Sequence, residues 1–401
     1  MEIDHTIHLA LNSKASSYDV SVGNDLLSDA GIWAKHCLRS STKRVAVISN
    51  EKVFSLYGER VLASLAAQDF LVHKWLMEDG EENKNFESLQ LLLSFLSENG
   101  FTRSDSIVAL GGGVVGDLAG FASAVYMRGL QFLQIPTTLL SMIDAAVGGK
   151  TAINLASGKN LVGAFHQPRG VLVDVGTLKT LDERELAAGF FEGIKHGAIG
   201  GEDILRKIGE FLNDFPVSRF EKSFKETDFV LRMEKIIASH VEFKARIVME
   251  DEREETQRRD SHSRKILNFG HTVGHALENA TDYKYFKHGE AVGYGILAAA
   301  ELSKKLELID DISLELLNDV VASVGSLPEA RHIDQQRIID AFTFDKKMDG
   351  ASRDWILLEG IGKPIVVRDS EIPAAFVEDT LQKVLSRWSP DPSLRILENK
   401  K

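Results

Sequence analysis

The chain has 401 residues, 44% hydrophobic and 26% charged, which is ordinary globular composition and enough length for two domains with cores of their own. With 47 Lys and Arg against 59 Asp and Glu, the formal charge of -12 disfavours nonspecific attraction to nucleic acid or to an anionic membrane surface. Cys37 is the single cysteine, so an intramolecular disulfide and a thiolate metal cage are excluded, and any metal must be held by His, Asp or Glu.

The opening MEIDHTIHLALNSK lacks the basic flank and apolar core of a signal peptide, and no run reaches the ~18 apolar residues of a membrane span. A cytoplasmic protein is expected. Short apolar runs follow at 44–49 (RVAVIS), 70–75 (FLVHKW), 106–110 (SIVAL), 132–135 (FLQI) and 171–174 (VLVD), alternating with helical patterns. That alternation predicts a parallel sheet flanked by helices. Beyond residue 177 helical patterns dominate, over 183–199, 271–280 and 291–306, with one late pair of strands in 355–367. The expected division is an α/β domain over residues 1–176 and a mostly helical domain over 177–401. No internal repeat is visible. The run 249–264 (MEDEREETQRRDSHSR) is nearly devoid of apolar residues and reads as a solvated loop, and the end beyond Pro390 and Pro392 reads as a frayed tail.

Two stretches carry chemistry. Gly111 to Gly116 reads GGGVVG, a GxGxxG pattern after a predicted strand and before a helix expected to start near Asp117. Glycines there let main-chain N–H groups approach a pyrophosphate. The usual acidic companion is missing, because the next strand ends in Pro136-Thr137-Thr138. An acidic candidate for the ribose instead follows the 70–75 strand, in the turn Asp79-Gly80-Glu81-Glu82-Asn83-Lys84. The second stretch is His271-Thr272-Val273-Gly274-His275, two imidazoles four apart on one helical face, with His288 following. Glu192 and Lys195 share a face of the earlier helix. Two His and one Glu would leave coordination positions open for a substrate oxygen, although spacing does not select which three groups bind.

The run GGGVVGDLAGFASAVYMRGLQFLQIPTTLLSMIDAAVGGKTAINLASGKNLVGAFHQP, residues 111–168, resembles the 3-dehydroquinate synthase family throughout. The likeness continues through FFEGIKHGAI, ILNFGHTVGHALE, HGEAVGYGILAAAE and FDKKMDG, and covers about 43–367. The resemblance implies a Rossmann-like N-terminal domain, a helical metal-binding C-terminal domain, tightly held NAD, zinc or cobalt, and a homodimer. Its implied NAD contacts fall on Asn50, Asp79, Gly80, Glu81, Lys84, Gly112, Gly113, Val114, Val115, Gly116 and Asp117. The same set continues with Thr137, Thr138, Asp144, Lys150, Lys159, Thr177, Thr180, Leu181 and Glu185. The implied metal ligands are Glu192, His271 and His288, which assigns His275 to the substrate. Substrate-facing groups match Asp144, Lys150, Asn160, Lys195, Lys244, Arg264, Asn268, His275 and one of Lys346 or Lys347, with catalysis resting on Lys150, Lys195, Asn268 and His275. Arg128 matches a residue that reaches the phosphate bound by the partner subunit.

These cations suit a substrate carrying both carboxylate and phosphate. The implied reaction is transient oxidation, phosphate elimination, re-reduction and intramolecular aldol closure of a phosphorylated seven-carbon sugar acid. About six extra residues between Glu254 and Arg264 put Arg258, Arg259 and Lys265 in competition with Arg264 for its task. Rival readings are a cyclitol-forming sugar-phosphate cyclase, a metal-dependent polyol dehydrogenase of the same fold, and a noncatalytic NAD-binding scaffold.

Overall fold

In the computed structural model, residues 3–10, 17–349 and 354–387 are described, with the side chains of 343–349 and 387 left aside. The expected tail beyond Pro390 and the side chains of Lys346 and Lys347 lie outside the described residues. Among the described residues, nine strands form in the first half: β1 (His5–Leu9), β2 (Tyr18–Gly23), β3 (Arg44–Asn50), β4 (Leu71–Met77), β5 (Ser106–Gly111), β6 (Gln131–Pro136), β7 (Lys150–Leu155), β8 (Gly158–Phe165) and β9 (Gly170–Asp174). Seven make one sheet in the order β1-β2-β9-β6-β5-β3-β4, parallel except for the β1–β2 pair.

The apolar runs map onto this order. Every residue of β5, β6 and β9 is buried, because helices cover both faces and a central parallel strand has no polar side. The edge strands β4 and β1 are partly exposed, and their polar residues interrupt the apolar pattern. Successive side chains point to opposite faces. Ala46 and Ile48 therefore join Leu92, Leu118 and Phe132 in one core, while Val45 and Val47 join Trp33, Val61 and Leu133 in the other. Each such fully buried side chain contributes about 1.5–3 kcal/mol relative to exposure.

The chain forms two compact units, and they divide differently from the expected 1–176 and 177–401. The first comprises residues 1–181 together with 224–253, and the second comprises 182–223 and 254–401. Helix Thr227–Glu250 thus belongs to the first unit, where it packs on β1, β2 and the helical turn Ser141–Ala145. β7 and β8 form a separate antiparallel hairpin pairing Lys150 with Phe165, which the apolar pattern had not announced. The glycine-loop helix begins at Gly113 rather than near Asp117.

The second unit is helical apart from the antiparallel pair β10 (Asp354–Leu358) and β11 (Pro364–Arg368). Three helices, Glu183–Gly200, His271–Ala280 and His288–Lys305, carry its polar interior. Glycines let them touch main chain to main chain. A Cβ on Gly289 would lie 2.0 Å from Ala188 O, and one on Gly295 would lie 1.8 Å from Gly270 O. Helix His288–Lys305 starts three residues before the expected 291 because the Glu290 carboxylate accepts the Lys287 N–H at 2.8 Å and caps the first turn.

The polar segment 249–264 is exposed in its middle but anchored at its ends, since Asp251, Ser263 and Arg264 are buried.

Candidate functional site

In the first unit, β3 and β4 step one way along the sheet, while β5, β6 and β9 step the other. The switch lies between β3 and β5, and the crevice outside the carboxyl ends of such strands is where open α/β sheets bind ligands. The nucleotide-side residues sit at those ends. Asn50 closes β3, the 79–84 turn follows β4, Gly112 and Gly113 follow β5, and Thr137 and Thr138 follow β6. Asn50 Nδ2 donates to Asp79 Oδ1 at 2.7 Å, tying the first two together.

The Gly113–Val125 helix has no side-chain cap, so the N–H groups of its first turn remain for an anion. A Cβ on Gly112 would come 3.1 Å from Thr138 Cγ2 and would fill the cradle between the two loops. Val115 is packed in the core, so its contribution there is its main chain alone. Gly80 adopts φ 112°, a conformation that glycine alone reaches freely and that the acidic turn needs.

Lys84 is 3% exposed and lies at the centre of a polar cluster. Its ammonium is 2.9 Å from Asp117 Oδ2, 2.9 Å from Glu81 Oε1 and 2.7 Å from Asn160 Oδ1. Burial alone would lower its pKa, but the Asp117 and Glu81 carboxylates outweigh burial and hold it above the ordinary lysine value. Burial also pushes the Asp117 carboxyl upward against the pull of Lys84.

Asn154, which the sequence reading passed over, holds the cluster to the β7–β8 hairpin. Its side chain donates to Glu81 O at 3.0 Å and Glu81 Oε1 at 2.8 Å and accepts the Asn160 N–H at 2.9 Å, while its own N–H donates to Lys84 O at 2.7 Å. Asn160 itself has φ 56°. No spacing rule marks Asn154 in advance, since it works through three-dimensional pairing of a turn with a hairpin.

Other expected residues of this unit are placed as follows. Lys244 is buried and its ammonium is bonded to the Asp144 carboxylate and carbonyl. Thr177 and Thr180 meet the Tyr57 hydroxyl through the Thr177 carbonyl at 2.9 Å and the Thr180 hydroxyl at 2.5 Å. Lys159 and Leu181 are half-buried, and Lys150 is exposed. Arg128 is exposed in a knuckle where Met127 (φ 51°), Arg128 (φ 66°) and Gly129 (φ 123°) are all left-handed. Arg103 grips the Met127 carbonyl there at 2.9 Å.

The second unit gathers the other group. His271, His275 and His288 place one ligand atom each within 4.8 Å of one another. Glu192, 1% exposed, sends Oε1 to 3.4 Å from His288 Nε2 and 3.9 Å from His271 Nε2. This Oε1 accepts no hydrogen bond from any described residue, while Lys195 Nζ stands 2.6 Å from Oε2. The far ring nitrogens are engaged: His271 Nδ1 with Phe269 O at 3.3 Å and His288 Nδ1 with Glu278 Oε2 at 2.9 Å. A neutral ring held in this way presents its Nε2 lone pair on the Glu192 side.

These residues fit a divalent cation. Donors about 2.1 Å from one tetrahedral ion stand roughly 3.4 Å apart, close to the separations here. Spacing left His271, His275 and His288 equal. The structure brings all three together, with Glu192 nearest His288 and with His275 the exposed member.

Arg264 is 2% exposed and opens the turn Arg264–Asn268. Its three competitors are committed elsewhere: Arg258 to Asp260 at 2.9 Å, and Arg259 and Lys265 each to Asp354 at 3.2 Å. Asn268 is exposed and donates to Glu254 Oε1 at 3.5 Å. Glu185, expected with the nucleotide set, belongs to the second unit, where Lys287 pairs with it at 2.7 Å.

Comparison with known proteins places these arrangements in context. The family model for the 3-dehydroquinate synthase N-terminal region matches residues 74–188, and that for its C-terminal region matches 189–348. A 3-dehydroquinate synthase of Methylacidiphilum infernorum is 38% identical, covering 90% of this chain and 94% of that protein. One of Nitrosospira multiformis is 37% identical, covering 94% and 97%. Among solved structures, the 2-epi-5-epi-valiolone synthase of Streptomyces hygroscopicus, bound to NAD+ and Zn2+, aligns with TM-score 0.79 at 27% identity, covering 94% of this chain and 99% of that one. The glycerol dehydrogenase of Schizosaccharomyces pombe aligns with TM-score 0.65 at 15% identity, covering 98% and 95%, a likeness of fold alone.

Proposed function

Because the chain belongs to the 3-dehydroquinate synthase family, we propose that it converts 3-deoxy-D-arabino-heptulosonate 7-phosphate into 3-dehydroquinate and phosphate, with NAD and one divalent cation as resident cofactors. The observation that carries this reading is the buried Glu192 Oε1 facing two imidazole nitrogens whose opposite nitrogens are already engaged. Bound NAD supplies reversible hydride exchange with a ring carbon, and the cation supplies a Lewis acid for the alcohol oxygen on it.

The residues divide the remaining work. Glu192, His271 and His288 hold the cation, a nitrogen and oxygen donor set that accepts zinc or cobalt. The first-turn N–H groups at Gly113 to Val115 receive the pyrophosphate, and the Glu81 carboxylate, held by Lys84 at 2.9 Å, accepts hydrogen bonds from the ribose hydroxyls. Arg264 binds the substrate carboxylate, a task for which it is the one arginine of its segment that is buried, and Lys150 on the first unit offers a cation to an anionic group. Lys195, Asn268 and His275 contact the phosphate or the alcohol, and their charge and hydrogen bonds stabilise the phosphate as it departs. Elimination breaks a carbon–oxygen bond, so the enzyme acts as a phosphate-eliminating lyase with no net oxidation. Ring opening and aldol closure then give the carbocycle, a step in aromatic amino acid biosynthesis.

The working form is read as a cytoplasmic homodimer. Supporting the dimer, Val125 (43% exposed) and Met127 (49%) bring apolar side chains to the surface beside Arg128, and Leu161 (47%) and Phe165 (44%) do so on β8, which packs against the Gly113–Val125 helix. Arg128 would then serve the partner's phosphate. No helix among the described residues is long and apolar enough to cross a membrane.

The test is to supply the cation- and NAD-loaded protein with the heptulosonate phosphate and follow phosphate release and carbocycle formation together. Equal amounts of both, without NADH build-up, are expected. Accumulating NADH, or full phosphate release by His271→Ala at normal cation content, overturns the reading.

A further inference from the structure

Glu278 has no part in the assignments above, yet it is 2% exposed and lies three residues after His275 on the same helix. Its Oε2 stands 2.9 Å from Nδ1 of His288, while Nε2 of that ring faces Glu192. A buried carboxylate on Nδ1 fixes the tautomer, orients the ring and makes Nε2 a stronger donor to a cation. For His271 the corresponding nitrogen meets a neutral carbonyl at 3.3 Å, so the two imidazoles are tuned unequally.

The main chain at His288 is held by other means. Arg184 forks onto Glu290 with both contacts at 2.7 Å, and Glu290 caps the helix through the Lys287 N–H. Phe286 packs edge-on against Tyr294, and the Tyr285 hydroxyl donates to Glu329 O at 2.9 Å. Loss of the Glu278 carboxylate would therefore free the imidazole to turn while leaving the helix in place.

We propose that Glu278 is the positioning residue for His288 and that it sets the cation affinity of the site. The inference rests on Glu192, His271 and His288 being the cation ligands. Its helix spells His271-xxx-His275-xx-Glu278, so one face presents a ligand, a substrate contact and the orienting partner of a ligand on the next helix.

The experiment measures Co2+ affinity by chelator competition, together with the visible absorption of bound Co2+, for the full chain and three variants. Tight binding should vanish in His271→Ala. Glu278→Gln should weaken it by about 10–100-fold, the usual effect of losing an outer-shell partner, with a changed Co2+ spectrum. Glu278→Asp should fall between, because its shorter stem withdraws the charge from Nδ1 without removing it. NAD affinity should stay close to the wild-type value throughout, and a native far-UV circular dichroism spectrum with a cooperative melt reports folding. Wild-type Co2+ affinity in a folded Glu278→Gln, with or without a lower Tm, overturns the proposal. Should the Gln variant not fold, wild-type affinity and spectrum in Glu278→Asp overturn it instead. Wild-type Co2+ binding by His271→Ala sinks the cation-site reading itself, a result distinct from either outcome at Glu278.

Discussion

The nucleotide side of the first unit and the histidine cluster of the second are built by opposite means. The first is largely main chain: four parallel strand ends, an uncapped helix N-terminus and a cradle that a single Cβ would fill. The second is side chains on three helices packed so closely that glycine carbonyls and Cα atoms touch. A site made of main chain depends on where the strands end and tolerates exchange of most side chains. A site made of side chains depends on each ligand and on whatever aims it.

The largest expected effect tests the second half of that contrast. Glu192→Ala should remove the bound cation and lower phosphate release by more than the ~100-fold at the top of the range for losing an outer-shell partner. It also takes from the 1%-exposed Lys195 the carboxylate 2.6 Å away, so stability should fall by about 3 kcal/mol, the low end for breaking a buried pair. Cation content and a urea titration check both parts.

Lys84 is the exception on the nucleotide side, a side-chain device set among main-chain ones. Lys84→Met should strand Glu81 and Asp117 beside each other, costing about 3 kcal/mol because both carboxylates keep some contact with water. NAD affinity measured by fluorescence titration should fall with it. If NAD binding were untouched, the side-chain cluster would be structural and the nucleotide side wholly main-chain.

Asn154→Ala should act more weakly, raising the dissociation constant for NAD by about tenfold, the equivalent of ~1.4 kcal/mol for hydrogen bonds lost at the Glu81 turn. Unchanged binding would mean that the turn holds its shape without the hairpin.

The last test contrasts two buried carboxylates. Glu192 faces an ammonium, whereas burial, then Asp4 and Asp174, push the Glu234 carboxyl from 4.5 up to about 7. The folded state thus holds this proton more tightly than the unfolded chain does. That stabilisation is complete below about pH 4.5 and declines as pH rises toward about 7. Glu234→Gln should flatten this part of the Tm-versus-pH curve, as calorimetry would show.

The sequence made legible whatever depends on local pattern. The buried runs of β5, β6 and β9 announced a parallel sheet, and the spacing of His271, His275 and His288 announced their cluster. The β1–β2 pair escaped because one of its members is a half-exposed edge. The β7–β8 hairpin escaped because its register jumps between Ile153 and Leu155, breaking the period-two signal. Glu278 was within reach as the i+3 neighbour of His275, but its role needs the next helix beside it. Which unit owns helix Thr227–Glu250 cannot be spelled locally, since an apolar face does not name the surface it will cover.

That last ownership has a consequence for how the molecule is made. A ribosome that has finished residue 181 has made every strand of the large sheet, but not the helix that covers β1 and β2 or the Lys244 that holds Asp144. Another forty-odd residues belonging elsewhere must emerge before it arrives. The nascent first half therefore waits with an uncovered flank, and a fragment cut at its apparent end should aggregate rather than bind dinucleotide.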